Sequence, residues 1–217
     1  QLGILRGHVI VCGLGEKGWL LVRECRARGW SVVILEDDLT NRYAGPAREL
    51  GALVLWGSAT DPRNLRRAHA AQARLLFAVC RDDSVNAEIA LQAEQLLAAS
   101  HARGPQTAWI HLTDAHLCDA LRKRELNALK DGQGQFKFFN VYRKGAEAVL
   151  QRNPPFDAEN ASCNPHILVV GLDALGLAIA SAAIVAAFLL PAGPSPWIYG
   201  IAFVAGVGFS AQYVFPW

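Results

Sequence analysis

One stretch near the start of the 217-residue chain decides its fold: Gly7-His8-Val9-Ile10-Val11-Cys12-Gly13-Leu14-Gly15-Glu16-Lys17-Gly18. An apolar run leads directly into the pattern G-x-G-x-x-G, and residues with helical spacing follow. This order of strand, glycine turn and helix is typical of sites that bind the pyrophosphate of a dinucleotide. There, Gly13 permits the tight turn, Gly15 lets the backbone approach the phosphates, and Gly18 lets the helix pack closely on the strand.

A second apolar run, residues 31–35, ends in Glu36, which lies 23 residues after Gly13. At this place in a dinucleotide site an acidic side chain accepts hydrogen bonds from ribose hydroxyls. Asp37 and Asp38 follow and would repel the 2′-phosphate of NADP. We therefore expect NAD(H) to be preferred over NADP(H). The alternative is that the glycines serve only a tight turn and that Glu36 is a solvated carboxylate at a strand end.

Short apolar runs alternate with helix-like segments well beyond the glycine pattern, which predicts an α/β fold with a Rossmann-like, doubly wound parallel sheet. The predicted strands cover residues 8–12, 31–36, 52–56, 75–80, 108–112 and 136–141. Helices are predicted to begin near Lys17, near Thr40 as N-cap, near Asp61-Pro62, near Asp83 and near Thr113-Asp114. Gly29 and Gly51 are expected to end the two preceding helices.

Right-handed crossovers would place Gly13, Glu36, Gly57 and Arg81 along one edge of this sheet. Ligands of open parallel sheets bind at the carboxyl ends of the strands, which meet at that edge. The loops that begin with Gly57 and Arg81 can therefore both reach a bound nucleotide, the first beside adenine and the second beside the other half of the cofactor. The alternative for each is an ordinary loop that caps the next helix.

Three segments, residues 7–36, 57–68 and 82–86, together resemble the nucleotide-binding domain of regulators of potassium conductance (RCK). That family includes the Trk-type potassium-uptake subunits, and the resemblance covers residues 7–152. It implies a Rossmann-like domain that binds NAD(H) or, in some members, other adenine nucleotides such as ATP or ADP. It also implies that the domain pairs with copies of itself beneath a membrane cation channel or transporter.

The resemblance marks several residues as cofactor-binding, and none as catalytic or metal-ligating. Phosphate contacts fall on Gly13, Leu14, Gly15, Glu16, Lys17 and Gly18, ribose contacts on Glu36 with Asp37 beside it, and adenine-side contacts on Ser58, Ala59 and Thr60. Arg81 joins this set through its place after the fourth predicted strand. At Ser58 the family usually carries an acidic or amide side chain, so the chain departs from the pattern there. Glu16 adds a negative charge beside the phosphates, which Lys17 can offset.

The composition changes near residue 153. All 21 Lys and Arg residues lie at or before Arg152, and the last charged residue is Asp173. This change predicts that the nucleotide-binding domain implied by the resemblance covers 1–152, followed by a linker over 153–165 and a distinct segment over 166–217. The basic residues are too dispersed to favour nucleic acid, and five cysteines without a C-x-x-C pair favour a cytosolic setting. Because the chain begins with Gln1 and contains no methionine, we expect it to be part of a longer or processed polypeptide.

The segment 166–180 repeats the first strand and turn at an offset of 158 residues. His8, Val11, Gly13, Leu14 and Gly18 recur as His166, Val169, Gly171, Leu172 and Gly176. This predicts an incomplete second repeat. Asp173 stands where Gly15 stands in the first copy, so we expect no dinucleotide to bind there.

Two other interpretations of residues 166–217 remain. The stretches 166–190 and 197–215 are each near the ~20 residues that span a bilayer, so they can form a membrane-associated tail or transmembrane hairpin. Trp197, Tyr199, Tyr213 and Trp217 lie near the ends of the second stretch, as interfacial aromatic residues do. The third interpretation is an apolar appendage or artefactual chain end.

The expected function is a regulatory module at the cytoplasmic face of the cell membrane. Nucleotide binding would shift the balance between two arrangements of paired modules and so bias a pore. The candidates for the module contact are Phe138, Phe139, Val141, Tyr142, Ala146, Val149 and Leu150, with the domain's own core as the alternative. Two other functions are open, an NAD-dependent oxidoreductase and a structural module without ligand. For the first, His111 and His116 can be proposed as proton-transfer groups, although helix-capping or surface roles are favoured.

Overall fold

The computed structural model describes residues 6–99, 107–128, 135–153, 167–170, 173–189 and 201–204. The chain divides into two compact units, residues 1–140 and 141–217.

The first unit is built on one parallel sheet. Its strands are β1 (Val9–Cys12), β2 (Val32–Glu36), β3 (Leu53–Trp56), β4 (Leu75–Ala78), β5 (Thr107–His111) and β6 (Gln135–Phe139). Their order across the sheet is β3-β2-β1-β4-β5-β6, and each adjacent pair is parallel. This order confirms the predicted doubly wound, Rossmann-like fold. The last strand ends at Phe139 rather than at residue 141, because Val141 already begins a helix.

Five α-helices connect the strands of this unit: α1 (Glu16–Ala27), α2 (Ala44–Glu49), α3 (Pro62–Arg67), α4 (Asp83–Ala99) and α5 (Ala115–Ala128). Helix α3 starts at Pro62 as predicted, and Asp61 caps it, since its carboxylate accepts a hydrogen bond of 2.9 Å from the Arg63 amide. The prediction of Thr40 as an N-cap is wrong. Its hydroxyl donates to Asp38 at 2.6 Å, and α2 starts at Ala44.

The core consists of two apolar layers, one on each face of the sheet. Ile10 and Cys12 belong to one layer, whereas Val9 and Val11 belong to the other. Helices α3, α4 and α5 contribute to the first layer, and α1 and α2 contribute to the second. Because β1 is covered on both faces, all four of its residues are buried. The strand therefore holds the following turn, which begins at Gly13, on a rigid base.

The second unit contains α6 (Val141–Arg152), β7 (Ile167–Val170), α7 (Ala174–Leu189) and β8 (Ile201–Val204). Helix α6 packs against α7, and β7 pairs with β8 in parallel. The element β7 starts 158 residues after β1, and α7 starts 158 residues after α1. The strand and the helix of the second repeat therefore follow those of the first in register. The limits expected from composition, 1–152, 153–165 and 166–217, stay predictions.

The described residues of 166–190 do not form one continuous helix, and the interpretation of this stretch as a membrane-associated tail stays a prediction. Residues 167–170 form a strand, and α7 has only 16 residues, or ~24 Å at 1.5 Å per residue. Within the described ranges, the structure contains no helix with the length and apolar character needed to cross a membrane. Most of the predicted linker and of the stretch 197–215 lies outside the described residues.

Candidate functional site

The turn between β1 and α1 lies at the carboxyl edge of the sheet, beside the point where the strand order reverses. Gly13 donates its amide to the Leu35 carbonyl at 2.9 Å, which ties the turn to β2. The first bond inside α1 runs from the Trp19 amide to the Gly15 carbonyl at 2.8 Å. In doubly wound sheets this crevice, between β1 and β4 here, is where ligands bind.

The three glycines of the turn are present for different physical reasons. Gly13 has φ +91°, and a Cβ on it would lie 2.9 Å from the Cys80 sulfur. A Cβ on Gly18 would overlap the Gly13 carbonyl oxygen. Gly15, by contrast, has φ −72°, and no described atom lies within 4 Å of a Cβ built on it. The fold therefore requires glycine at positions 13 and 18 but not at position 15.

The start of α1 is open in the described part of the chain. Gly15 is the N-cap residue, so no side chain of its own can satisfy the first amides of the helix. The amides of Glu16, Lys17 and Gly18 precede the first helical hydrogen bond and carry the positive end of the helix dipole. Such a terminus, with space above Gly15, provides donors for a phosphate group.

Glu36 lies at the end of β2 and is buried, with 7% of its surface exposed. One carboxylate oxygen accepts from the amides of Asp37 at 3.0 Å and Asp38 at 2.9 Å. The other accepts from the Leu14 amide at 2.6 Å. Since a carboxylate has about four acceptor positions, one remains on the second oxygen, which suits a single ribose hydroxyl.

Asn41, in the loop before α2, was missed by sequence reasoning. Its side-chain amide donates to the Leu14 carbonyl at 3.2 Å, and its side-chain oxygen accepts from the Tyr43 amide at 2.9 Å. The two polar groups of Leu14 are thus held by Glu36 and Asn41. No sequence pattern indicated this contact, because Asn41 and Leu14 are 27 residues apart in the chain.

Lys17 reaches the opposite side of the turn, toward the end of β5. Its ammonium lies 3.2 Å from Nδ1 of His111, so Nδ1 accepts and the imidazole proton resides on Nε2. Burial, and then the charge of Lys17, lower the pKa of His111 to about 4 against a smaller opposing effect of Asp83. Burial also lowers the pKa of Lys17. His111 is therefore a buried neutral imidazole that orients the Lys17 ammonium.

Asn86, fully buried on α4, joins the ends of β4 and β5. Its side-chain oxygen accepts from the Cys80 amide at 2.9 Å, and its amide donates to the carbonyls of Cys80 and His111. Cys80 lies against Gly13, and burial raises the pKa of its thiol to about 12. The thiol is therefore a packing group beneath the turn and not a nucleophile.

The remaining predicted residues lie on neighbouring loops of the same edge. Ser58 and Thr60 bond to each other at 2.8 Å, and Asn64 donates to the Ser58 carbonyl at 2.9 Å, while Ala59 is buried. Arg81 is exposed after β4, as are Glu16 and Asp37 on their own loops. The contacts of Ser58 and Thr60 are those of a loop that leads into α3, so their role toward adenine stays a prediction.

The candidates for the module contact divide between the two units. Phe138 and Phe139 pack against the two core layers of the first unit. This agrees with the alternative given above, in which these residues belong to the domain's own core. Within the second unit, Ala146 is buried and Val149 is 43% exposed. His116, the other proposed proton-transfer residue, is exposed in the first turn of α5.

The donor set fits a nucleotide pyrophosphate. An open helix start, clear space at Gly15 and a buried carboxylate with one remaining acceptor position occupy the same edge of the sheet. Lys17 supplies positive charge beside them, whereas exposed Glu16 lies 4.0 Å from Arg42. Such a ligand would receive backbone donors at the phosphates and an acceptor at the ribose.

Several solved structures share this fold. The GsuK channel bound to NAD matches with a TM-score of 0.52 and 19% identity over 68% of this chain and 24% of that chain. GsuK bound to ADP matches with a TM-score of 0.59 and 20% identity over 98% and 48%, respectively. The NAD(P)-binding domain of an exopolyphosphatase-related protein from Archaeoglobus fulgidus has a TM-score of 0.52 and 18% identity over 68% and 97%.

The chain thus spans 24% to 48% of the length of the GsuK chains that it matches. No curated protein sequence matches it. The family model of the TrkA-N domain matches residues 9–127, which include the glycine turn, Glu36 and the ends of β4 and β5. Because this match covers more than half of the chain, the chain belongs to the TrkA-N domain family.

Proposed function

We propose that this chain is a regulatory module that binds NAD(H), or alternatively ADP or ATP, and thereby controls a potassium channel or transporter. The observation that carries the proposal is Gly15, which neither backbone conformation nor packing requires. Asp, Asn or Ser at that position would cap α1 and stabilise it by a few tenths of a kcal/mol relative to glycine. Glycine at this position lacks that stabilisation but leaves the first helix amides open. This arrangement favours a site where a ligand approaches the backbone.

The acidic loop after β2 favours a ligand without a 2′-phosphate. Asp37 and Asp38 are both exposed beside Glu36. The pKa of Asp38 is lowered by its hydrogen bonds to Thr40, so this carboxylate is ionised at neutral pH. We therefore propose binding of NADH in preference to NADPH.

The regulatory part of the proposal rests on family membership and on the GsuK channel structures that contain NAD or ADP. In this scheme the module lies at the cytoplasmic face of a membrane and pairs with a second copy or a tandem module. The nucleotide acts only through its different affinity for two arrangements of the pair. Of the module-contact candidates, Val149 on α6 is the most suitable, since its apolar side chain is exposed.

Calorimetric titration of the full chain with NADH, NADPH, ADP and ATP tests the binding step. We expect saturable binding of NADH, or of ADP or ATP, with NADPH weaker than NADH by roughly tenfold. Absence of saturable binding for every nucleotide would refute the proposal and leave a structural module. Regulation is tested next, by cation flux through a co-reconstituted channel or transporter with and without the bound nucleotide.

An oxidoreductase function is the second candidate, and it has weaker support. His111 is buried and accepts a hydrogen bond from Lys17 through Nδ1, which suits a positioning role better than proton transfer to a substrate. Oxidation of NADH, followed at 340 nm with small carbonyl compounds as acceptors, separates the two functions. We expect binding without turnover.

A further inference from the structure

The end of β2 and the loop that follows it hold both polar groups of Leu14 in the phosphate turn. The Leu14 amide donates to Glu36 at 2.6 Å, and the Leu14 carbonyl accepts from Asn41 at 3.2 Å. Leu14 itself is buried, so its side chain anchors the residue while these two bonds fix the orientation of its peptide groups.

The bond from Asn41 has a direct consequence for the next amide. The Leu14 carbonyl and the Gly15 amide belong to the same peptide unit, which is trans because the described chain contains no cis peptide bond. In a trans peptide the carbonyl and the N–H point in opposite directions. Since the carbonyl points toward Asn41, the Gly15 N–H is directed away from the β2–α2 loop.

We propose that Asn41 is a positioning residue for the phosphates of the nucleotide: it turns the Leu14–Gly15 peptide so that the Gly15 amide donates to the ligand. This inference rests on the proposed function, because it concerns the same site. Asn41 itself does not touch the phosphate. It acts through a peptide that lies beside the one glycine of the turn that the fold leaves open.

Asn41 can be changed without loss of its role in the loop. Its side-chain oxygen accepts from the Tyr43 amide at 2.9 Å, and Asn41→Asp keeps this acceptor while it removes the donor to Leu14. Asn41→Ser keeps a shorter acceptor that cannot reach Leu14. Asn153→Asp is the matched control, because Asn153 is an exposed asparagine that also donates to a backbone carbonyl, that of Val149.

Titrations of the full chain and its variants with NADH, ADP and adenosine separate positioning from simple stability. We expect Asn41→Asp to weaken NADH and ADP binding by about tenfold, and Asn41→Ser by about threefold to tenfold. Adenosine carries no phosphate, so its affinity should change by less than about twofold. Asn153→Asp should leave all three affinities unchanged. Wild-type affinity in both Asn41 variants, or an equal loss for adenosine and NADH, would overturn the inference.

A second readout does not depend on nucleotide binding. The Gly15 amide resonance of the ligand-free chain should shift in Asn41→Asp and Asn41→Ser but not in Asn153→Asp. If the wild-type chain binds no nucleotide, the proposed function fails and the inference fails with it, even where the Gly15 amide shifts. If nucleotide binds and the Gly15 resonance is unchanged in both Asn41 variants, only the inference fails.

Discussion

The two strand-to-helix turns of the chain share a sequence pattern but differ in whether a side chain caps the helix that follows. In the first, Gly15 leaves the start of α1 open. In the second, Asp173 occupies the equivalent place, and its carboxylate accepts from the Gly176 amide at 2.7 Å. The equivalent elements begin at the same offset. One residue therefore determines whether the start of such a helix offers its amides to a ligand or satisfies them with a side chain.

The repeats differ in a second respect. The first has Glu36 at the end of the next strand and Lys17 in its helix, held by His111. The second has Leu175 in place of Lys17, and the sequence contains no charged residue after Asp173. The second repeat thus retains the strand and the helix on either side of the turn without the groups that would recognise a ribose or balance phosphate charge.

The largest expected effect comes from making the first turn like the second. Gly15→Asp should weaken NADH or ADP binding by roughly 100-fold or more, because a carboxylate would stand against the phosphates. The same change should raise the free energy of unfolding by a few tenths of a kcal/mol, since aspartate is a slightly better N-cap than glycine. Calorimetry and urea unfolding measure the two effects on one sample.

The control for this prediction is Gly45→Asp. Gly45 is also a glycine with no described atom within 4 Å of an added Cβ, but it lies on α2. It should keep wild-type affinity. If Gly15→Asp binds nucleotide normally, the open turn is not the binding site and the contrast between the repeats has no functional meaning.

Much of this contrast could be predicted from the sequence, because it depends on local patterns. The apolar runs and glycines determine where β1, α1 and their counterparts begin, and the replacement of Gly15 by Asp173 is visible without coordinates. What the pattern cannot distinguish is why each glycine is present. Gly13 and Gly18 are required by contacts with Cys80 and within the turn, which only the folded chain reveals.

The rest of the site depends on contacts between distant residues. Asn41 lies 27 residues from Leu14, and His111 lies 94 residues from Lys17, so no spacing rule connects them. The wrong N-cap at Thr40 has a different cause. There the Thr40 hydroxyl donates to the nearby Asp38 carboxylate instead of capping a helix. Residue types alone do not show which of these two local hydrogen bonds is more stable.

A smaller effect is expected from Glu36, which the second repeat lacks. Glu36→Gln should lower the free energy of unfolding by about 1.5–3 kcal/mol, because a buried carboxylate that accepts from three backbone amides is replaced by a group with one acceptor oxygen. Nucleotide affinity should fall with it. The control, Glu49→Gln at an exposed position, should change stability by less than about 0.5 kcal/mol. Equal stability of the two variants would show that Glu36 does not hold the turn.

Because of the Lys17–His111 pair of the first repeat, the free energy of unfolding of the chain should decrease at acidic pH. The pKa of His111 is about 4 in the folded chain and 6.5 in its ordinary state. As pH falls below 6.5 the unfolded chain takes up the proton first, so stability is complete above that pH and is lost toward pH 4, by about 3 kcal/mol. His111→Gln should reduce this loss. Some loss should persist, because the pKa of His8 is also lowered.

The pH dependence is measured by thermal unfolding of the wild type and His111→Gln between pH 7 and pH 4. Glutamine still offers an oxygen to the Lys17 ammonium, so the contact survives while the titration is removed. Parallel curves for the two proteins would mean that another group is responsible and that His111 is not held neutral by burial and Lys17.

The smallest effect is expected from the reverse exchange, Asp173→Gly. Loss of the bond to the Gly176 amide should destabilise α7 by only a few tenths of a kcal/mol, because glycine is itself tolerated at an N-cap. The variant should still bind one nucleotide per chain, not two. An open helix start is then insufficient, since the second repeat has no counterpart of Glu36 for the ribose or of Lys17 for the charge. Binding of two nucleotides per chain in calorimetry would contradict this prediction. It would mean that glycine at position 15, or at the equivalent position 173, is sufficient for binding.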